Sequence, residues 1–332
     1  MKVAVLGNGG FGTCLAMVSD SAGHDVWQWG HDAEYTLEMA STRENPRYLP
    51  GVEIPVGIHI SADGAEVLRG ASAILMAVPT QHIRPTLTGL RALVPSGVPV
   101  VSLAKGLEQD TGRRPSQVIT EVLGDACPVL VLSGPSHAEE VARSLPTTVV
   151  LAGEDQALVE QIQEALSTDR FRIYGHGDSL GVELCGALKN VMAVAAGMAQ
   201  GFGLGDNAKA AILSRGIVEM SRYGQAEGAE MRTFFGLAGL GDLAVTAFSQ
   251  HGRNRAFGER IGKGESLDEI LASTRKVAEG VWTSRVVCSR AKELGVEMPI
   301  SNAVAAVLFD RVPIAQAVQS LMDRDRRGEV LD

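Results

Sequence analysis

The chain opens on the short apolar run Lys2-Val-Ala-Val-Leu6 and passes at once into Gly7-Asn-Gly-Gly-Phe-Gly12 and a helical stretch. A strand that feeds a helix through Gly-x-Gly-x-x-Gly leaves few folds open. Gly7 permits the tight turn, Gly9 lets a pyrophosphate approach the backbone, and Gly12 lets helix and strand pack closely. N–H groups at the helix start, around Gly10 and Phe11, would meet the phosphates. Three glycines alone make an ordinary turn; strand, motif and helix together make a dinucleotide site.

The second strand runs from about Asp25 to Trp29, and Gly30-His31-Asp32 follows. NAD enzymes commonly end this strand on a carboxylate that accepts the ribose 2′-hydroxyl. Here no carboxylate stands at the tip, although Asp32 is close. His31 is either a contact for a 2′-phosphate or a plain loop residue, so both NAD and NADP stay open. Aspartate introduced at Gly30 is expected to shift preference toward NADH.

Apolar strands at Ile74–Val78, Val98–Ser102, Val129–Leu132, Thr147–Leu151 and Phe171–Tyr174 alternate with helical stretches. Such alternation predicts a mainly parallel, doubly wound sheet of the Rossmann type, with ligands beyond the carboxyl ends of its strands. From residue 178 the periodicity is helical throughout. The expected fold is α/β, with a dinucleotide-binding domain over 1–177 and an all-helical substrate-binding domain over 178–332. A length of 332 residues suits two domains.

Lys189 lies in Gly186-Ala-Leu-Lys-Asn190, and its neighbours one helical turn away are Cys185, Gly186, Met192 and Ala193. An ammonium on an apolar face calls for a lowered pKa or a negative partner, and such a lysine can act as a general base or hold an anion. The structural alternative is a stem along apolar surface with its head in water. Lys105 stands beside Gly106 at a strand end. Gly134 and Pro135 shape a turn in which Ser136 can cap a helix beginning at His137. His137 there is more readily structural than catalytic. Asp206 reads as an N-cap, and Ala238-Gly-Leu-Gly-Asp242 as a glycine-rich turn that bares Asp242. Arg253, Asn254 and Arg255 form a candidate phosphate clamp, since arginine offers a planar fork to phosphate.

A net charge of −9 argues against a general nucleic-acid or anionic-membrane binder. Cys14, Cys127, Cys185 and Cys288 lack pairing or metal-ligand spacing, so reduced thiols in a cytoplasm are expected and no metal is. Met1 leads straight into the first strand, so no signal peptide is expected. No run of 18 uninterrupted apolar residues predicts a membrane span.

Gly7–Gly12, Lys105-Gly-Leu-Glu108, Ser133-Gly-Pro-Ser-His-Ala-Glu-Glu140, Gly186–Asn190, Ala238-Gly-Leu-Gly-Asp-Leu243 and Arg253-Asn254 together resemble the bacterial NAD(P)-dependent sn-glycerol-3-phosphate dehydrogenases, motif by motif and in order. The resemblance implies reversible reduction of dihydroxyacetone phosphate to sn-glycerol 3-phosphate, feeding phospholipid synthesis. It implies Lys189 as proton acceptor in oxidation. Lys105, Gly134, Ser136, Asp242, Arg253 and Asn254 match positions around the substrate. Gly10, Phe11, His31, Lys105, Ala138, Arg253, Val277 and Glu279 match positions around NAD or NADP. The family often carries serine where this chain has Gly252, which puts that contact in doubt. Asp242 would balance or orient Lys189. The assembly stays open, with a homodimer as its candidate. A sugar-acid or β-hydroxy-acid dehydrogenase is the rival within the class, and a dinucleotide sensor without turnover is the rival outside it.

Overall fold

The computed structural model describes residues 1–249, 252–273 and 278–325. They divide into two units, Met1–Ala104 with Arg114–Ser179, and Lys105–Arg113 with the chain from Leu180 onward. Ten strands occur in the described residues of the first unit: β1 (Lys2–Leu6), β2 (Asp25–Trp29), β3 (Glu44–Asn45), β4 (Leu49–Glu53), β5 (His59–Ser61), β6 (Ala73–Met76), β7 (Val100–Ser102), β8 (Val129–Ser133), β9 (Thr147–Ala152) and β10 (Phe171–His176). Eight of them form one sheet in the order β10-β9-β8-β7-β6-β1-β2-β5, and β3 and β4 pair separately as an antiparallel hairpin.

Alternation along the central strands splits the interior into two layers. Val3, Val5, Ala73, Leu75 and Val101 face one apolar cluster, shared with Cys14, Leu15 and Ala16 of the helix Gly10–Ser21. Ala4, Leu6, Ile74, Met76 and Val100 face the other, shared with Ile83 and Leu87 of Thr80–Leu90 and Val118 and Ile119 of Pro115–Leu123. Burial on both faces is why these strands read as continuous apolar runs. All sheet pairs are parallel except β8 with β9. The connection there contains the four-residue helix Ala138–Val141, too short to carry the chain back along the sheet, so β9 returns antiparallel.

The short strands β3, β4 and β5 are absent from the sequence expectation. Their segment holds Pro46, Pro50 and Gly51, which weaken any strand signal. A buried amide ties this hairpin to the glycine turn. Asn45 donates through Nδ2 to the Asn8 carbonyl (3.0 Å) and Thr13 Oγ1 (2.8 Å), while its Oδ1 accepts from the Tyr35 hydroxyl (2.5 Å).

Among the described residues of the second unit the regular structure is all helical, as the periodicity implied. Its central helix, Ser179–Phe202, is buried from Gly181 to Ala199. That helix is long and apolar enough to cross a membrane by composition, and here its apolar window is buried in the protein. The helix Arg253–Gly262 packs directly on it. A Cβ on Gly258 would overlap the Val194 carbonyl, and one on Gly197 the Arg255 carbonyl, so the two backbones touch.

Asn45→Ala strands the Tyr35 hydroxyl, a Thr13 acceptor and the Asn8 carbonyl in the interior. It should lower the unfolding free energy by about 3 kcal/mol, measurable by urea denaturation.

Candidate functional site

The three fingerprint glycines have different surroundings. Gly7 has φ +117°, and a Cβ on it would lie 2.9 Å from the Ala77 carbonyl carbon at the end of β6. A Cβ on Gly12 would overlap the Gly7 carbonyl oxygen. Internal packing therefore explains Gly7 and Gly12. A Cβ on Gly9 would meet nothing within 4 Å among the described residues. Glycine at 9 thus answers to space outside the fold, where a pyrophosphate backbone would lie. Gly7 sits between β1 and β6, where the sheet order reverses, and this is the crevice position for ligands in such sheets. These residues fit a dinucleotide.

Around this turn, Gly10 begins the first helix, with Tyr48 O 2.7 Å and Ala138 Cβ 3.7 Å from where its own Cβ would stand. Phe11 packs partly buried on the first core layer. His31 is exposed, and Asp32 N-caps the helix Ala33–Thr42 by accepting from Tyr35 N (3.0 Å). Gly30 does not admit the aspartate expected to alter cofactor choice. A Cβ there would collide with Asn8 Nδ2 and Thr36 Oγ1.

Gly134 follows β8 with φ +132°, a conformation that favours glycine. Ser136 is not the helix cap. Its hydroxyl donates to the Gly134 carbonyl (2.9 Å), and His137 takes the N-cap position before Ala138.

The second unit gathers Lys105, Lys189, Asp242 and Asn254 into one hydrogen-bonded cluster. Lys189 Nζ donates to Asp242 Oδ1 (2.9 Å) and to Thr246 Oγ1 (2.6 Å). Lys105 Nζ donates to the other carboxylate oxygen, Oδ2, at 2.7 Å. Thr246 in turn donates to the Asp242 carbonyl (2.7 Å). Asn190 Nδ2 donates to the Lys105 carbonyl (2.7 Å), Asn254 Nδ2 to Asn190 Oδ1 (2.9 Å), and Gly280 N to Asn254 Oδ1 (3.0 Å).

Asp242 is not on a solvated turn. Leu237–Gly241 forms a π-helical turn that runs into the helix Asp242–Phe248, and Asp242 is 2% exposed. Lys189, 6% exposed, sits among the expected apolar neighbours. Burial lowers its pKa from 10.5 to about 8; Asp242 opposes the shift and the Lys105 charge adds to it. Burial works against ionisation of Asp242, yet Lys105 and Lys189 together hold its carboxyl below the ordinary range.

Arg253 is exposed on the first turn of Arg253–Gly262, beside buried Asn254. Arg255 departs from the clamp expectation: it is buried and spends its guanidinium on Glu259 Oε2 (2.6 Å) and the Ser249 carbonyl (2.8 Å). Gly252 is the N-cap of that helix, and a serine Cβ there would come within 2.8 Å of the Thr246 carbonyl oxygen. Glu279 opens the helix Glu279–Leu294 next to Gly280. Val277 lies outside the described residues. Asp206 is not an N-cap but a first-turn residue paired with Lys209 at 2.8 Å.

Sequence reasoning passed over Thr246 and gave Asn190 no role. Thr246 stands four residues after Asp242 on one helical face, and Asn190 follows Lys189, so both had a positional signal.

A glycine turn at the reversal point of a mainly parallel sheet, followed by a helical unit, is the architecture of a dinucleotide-dependent dehydrogenase. Residues 2–159 match the N-terminal model of NAD-dependent glycerol-3-phosphate dehydrogenase, and residues 178–319 its C-terminal model. The chain is 48% identical over 332 residues to glycerol-3-phosphate dehydrogenase (NAD(P)+) of Chlorobium phaeobacteroides (strain BS1), covering 99% of each chain. It is 47% identical to the Rhodospirillum rubrum protein of the same name, covering 98% of this chain and 93% of that one. A crystal structure of glycerol-3-phosphate dehydrogenase from Coxiella burnetii superposes with a TM-score of 0.92 at 36% identity, over 97% of this chain and 99% of that one. The chain belongs to the NAD-dependent glycerol-3-phosphate dehydrogenase family.

Asp242→Asn removes the carboxylate that two ammonium groups share. It should cost about 3 kcal/mol at pH 7 by denaturant unfolding. The carboxyl pKa is depressed in the fold, so this contribution is present above the unfolded value and lost as pH falls through the folded one; the gap between parent and variant should close in acid.

Proposed function

We propose that this chain reversibly reduces dihydroxyacetone phosphate to sn-glycerol 3-phosphate with NAD(P)H and supplies glycerophospholipid synthesis. In this reading residues 1–177 bind the dinucleotide and 178–332 the substrate. The buried, hydrogen-bonded amine of Lys189 is the observation that carries it. Bound nicotinamide supplies the hydride acceptor or donor. Lys189 takes the hydroxyl proton in oxidation; in reduction its ammonium polarises the ketone and returns the proton. Asp242 and Thr246 aim the amine. Arg253 grips the phosphate, and Asn254, whose Nδ2 carries two hydrogens, keeps one for the substrate. Lys105, Gly134 and Ser136 complete the substrate contacts. Gly7, Gly9, Gly10, Phe11, Gly12, His31, Lys105, Ala138, Arg253, Val277 and Glu279 complete the cofactor contacts. A cytoplasmic homodimer completes the reading. A dinucleotide sensor would have no use for a buried amine with a depressed pKa.

NADH and NADPH oxidation should proceed with dihydroxyacetone phosphate and be far slower with dihydroxyacetone. Equal kcat/KM for the two ketones would overturn the phosphate assignment. Arg253→Ala should mainly raise KM for the phosphorylated substrate.

Lys189→Met keeps the chain length and removes the titrating group. Turnover should fall by about 10²–10⁴ with cofactor binding retained. In the parent, oxidation should rise as pH climbs through about 8 and the amine becomes neutral, while reduction should fall over the same range. Residual Lys189→Met activity should lose both dependences. A Met variant with near-parental kcat would return Lys189 to a structural role.

A further inference from the structure

Beyond the end of β2 the first unit holds a cation that its neighbours keep in one place. Gly7 N donates to the Trp29 carbonyl (3.0 Å), so the glycine turn and the tip of β2 are bonded to each other. In sheets of this order the adenine ribose lies at that tip. Arg47, between β3 and β4, reaches the same place: its Nη1 donates to Asp32 Oδ2 at 3.0 Å, and its Cζ stacks 3.9 Å from the Tyr35 ring centre. Arg47 N also donates to the Tyr35 hydroxyl (3.1 Å), which donates onward to Asn45, the amide that holds the Asn8 carbonyl and Thr13. A hydroxyl and an amide thus tie the Arg47 backbone to the glycine turn, and the Tyr35 ring and Asp32 hold its guanidinium.

Asp32 alone would make this an NAD-selective tip, accepting a ribose hydroxyl and repelling a 2′-phosphate. Its two oxygens are instead committed to Tyr35 N and Arg47. Arg43, the cation at the base of the hairpin, spends its guanidinium on the carbonyls of Ile54, Pro55 and Ile58. Arg47 gives one of its five N–H donors to Asp32 and is 48% exposed, with a planar fork that matches phosphate.

We propose that Arg47 determines cofactor choice: it neutralises Asp32 and binds the 2′-phosphate of NADPH. This rests on the dinucleotide reading of the Gly7–Gly12 turn. Without Arg47 the bare Asp32 carboxylate repels the 2′-phosphate, and preference moves toward NADH.

Calorimetric binding of adenosine 2′,5′-bisphosphate and of 5′-AMP tests this independently of turnover. The parent should bind the bisphosphate about tenfold or more tightly than AMP, the effect of one charge-assisted bond. Arg47→Ala should lose that advantage while its AMP affinity stays within about threefold of the parent's, and Arg47→Lys should keep part of it. Adding Asp32→Asn to Arg47→Ala should restore some bisphosphate affinity by removing the repulsion. In turnover, Arg47→Ala should lose about tenfold in kcat/KM for NADPH and little for NADH. A parent that does not discriminate between the two nucleotides overturns the proposal, as does an Arg47→Ala variant that weakens both equally. A parent that discriminates yet turns over no dihydroxyacetone phosphate would overturn the reaction assigned above and leave Arg47 its role.

Discussion

The second unit is organised around one carboxylate shared by two ammonium groups. Asp242 accepts from Lys189 at Oδ1 and from Lys105 at Oδ2; Asp242 and Lys189 are buried, and Lys105 is partly exposed. The Lys105 charge and exposed Arg253 both act to lower the Lys189 pKa, against the pull of Asp242. A desolvated ammonium is unfavourable, and it can be relieved in two ways. Lys189 can release its proton, and burial, more than the neighbouring cations, brings its pKa to about 8; alternatively an anion can enter. In the function proposed above, a phosphorylated substrate would do the second, so that binding and proton transfer would draw on the same local charge.

Helix packing makes the cluster geometrically attainable. Contact between the backbones at Gly197 and Gly258 brings Arg253–Gly262 against Ser179–Phe202, and Asn254 then reaches Asn190. From Asn190 the chain of amides continues to the Lys105 carbonyl, so one contact between helices fixes the backbone that carries Lys105. Asp242 arrives by a different route. The π-helical turn Leu237–Gly241 delivers it at the start of a new helix, with Thr246 one turn along to take the second Lys189 bond.

How far these features were legible depended on whether a residue broke a pattern or obeyed one. Lys189 was visible because a lysine contradicts its apolar helix face, and the Gly7–Gly12 turn because strand and helix flank it. The sheet was legible because its buried strands are apolar on both faces. Asp242 was found but misplaced: Gly239 and Gly241 read as a loop, although Gly239 is there because a Cβ would strike the Phe234 carbonyl. Ser136 has the composition of a cap, yet its hydroxyl turns back to Gly134, and only tertiary packing decides between those acceptors. The β3–β4 hairpin escaped notice because two prolines and a glycine hide its pairing. With it went Asn45 and Arg47, residues that act through contacts far away in the sequence.

Two aspartates thus meet cations in this chain under opposite physical regimes. Asp32 and Arg47 are 37% and 48% exposed, a setting in which an ion pair contributes about 0–1 kcal/mol. The side chains of Asp242 and Lys189 are 3% and 8% exposed, a setting in which removing one partner strands a buried charge at several kcal/mol. The exposed pair can change without threatening the fold, so under the proposed role of Arg47 the tip of β2 would be where cofactor choice is open to adjustment. The buried cluster cannot, because the charge that makes Lys189 useful is also one that the fold must balance. On the roles proposed here, proton chemistry is bound to the stability of the fold, whereas the choice of dinucleotide is not.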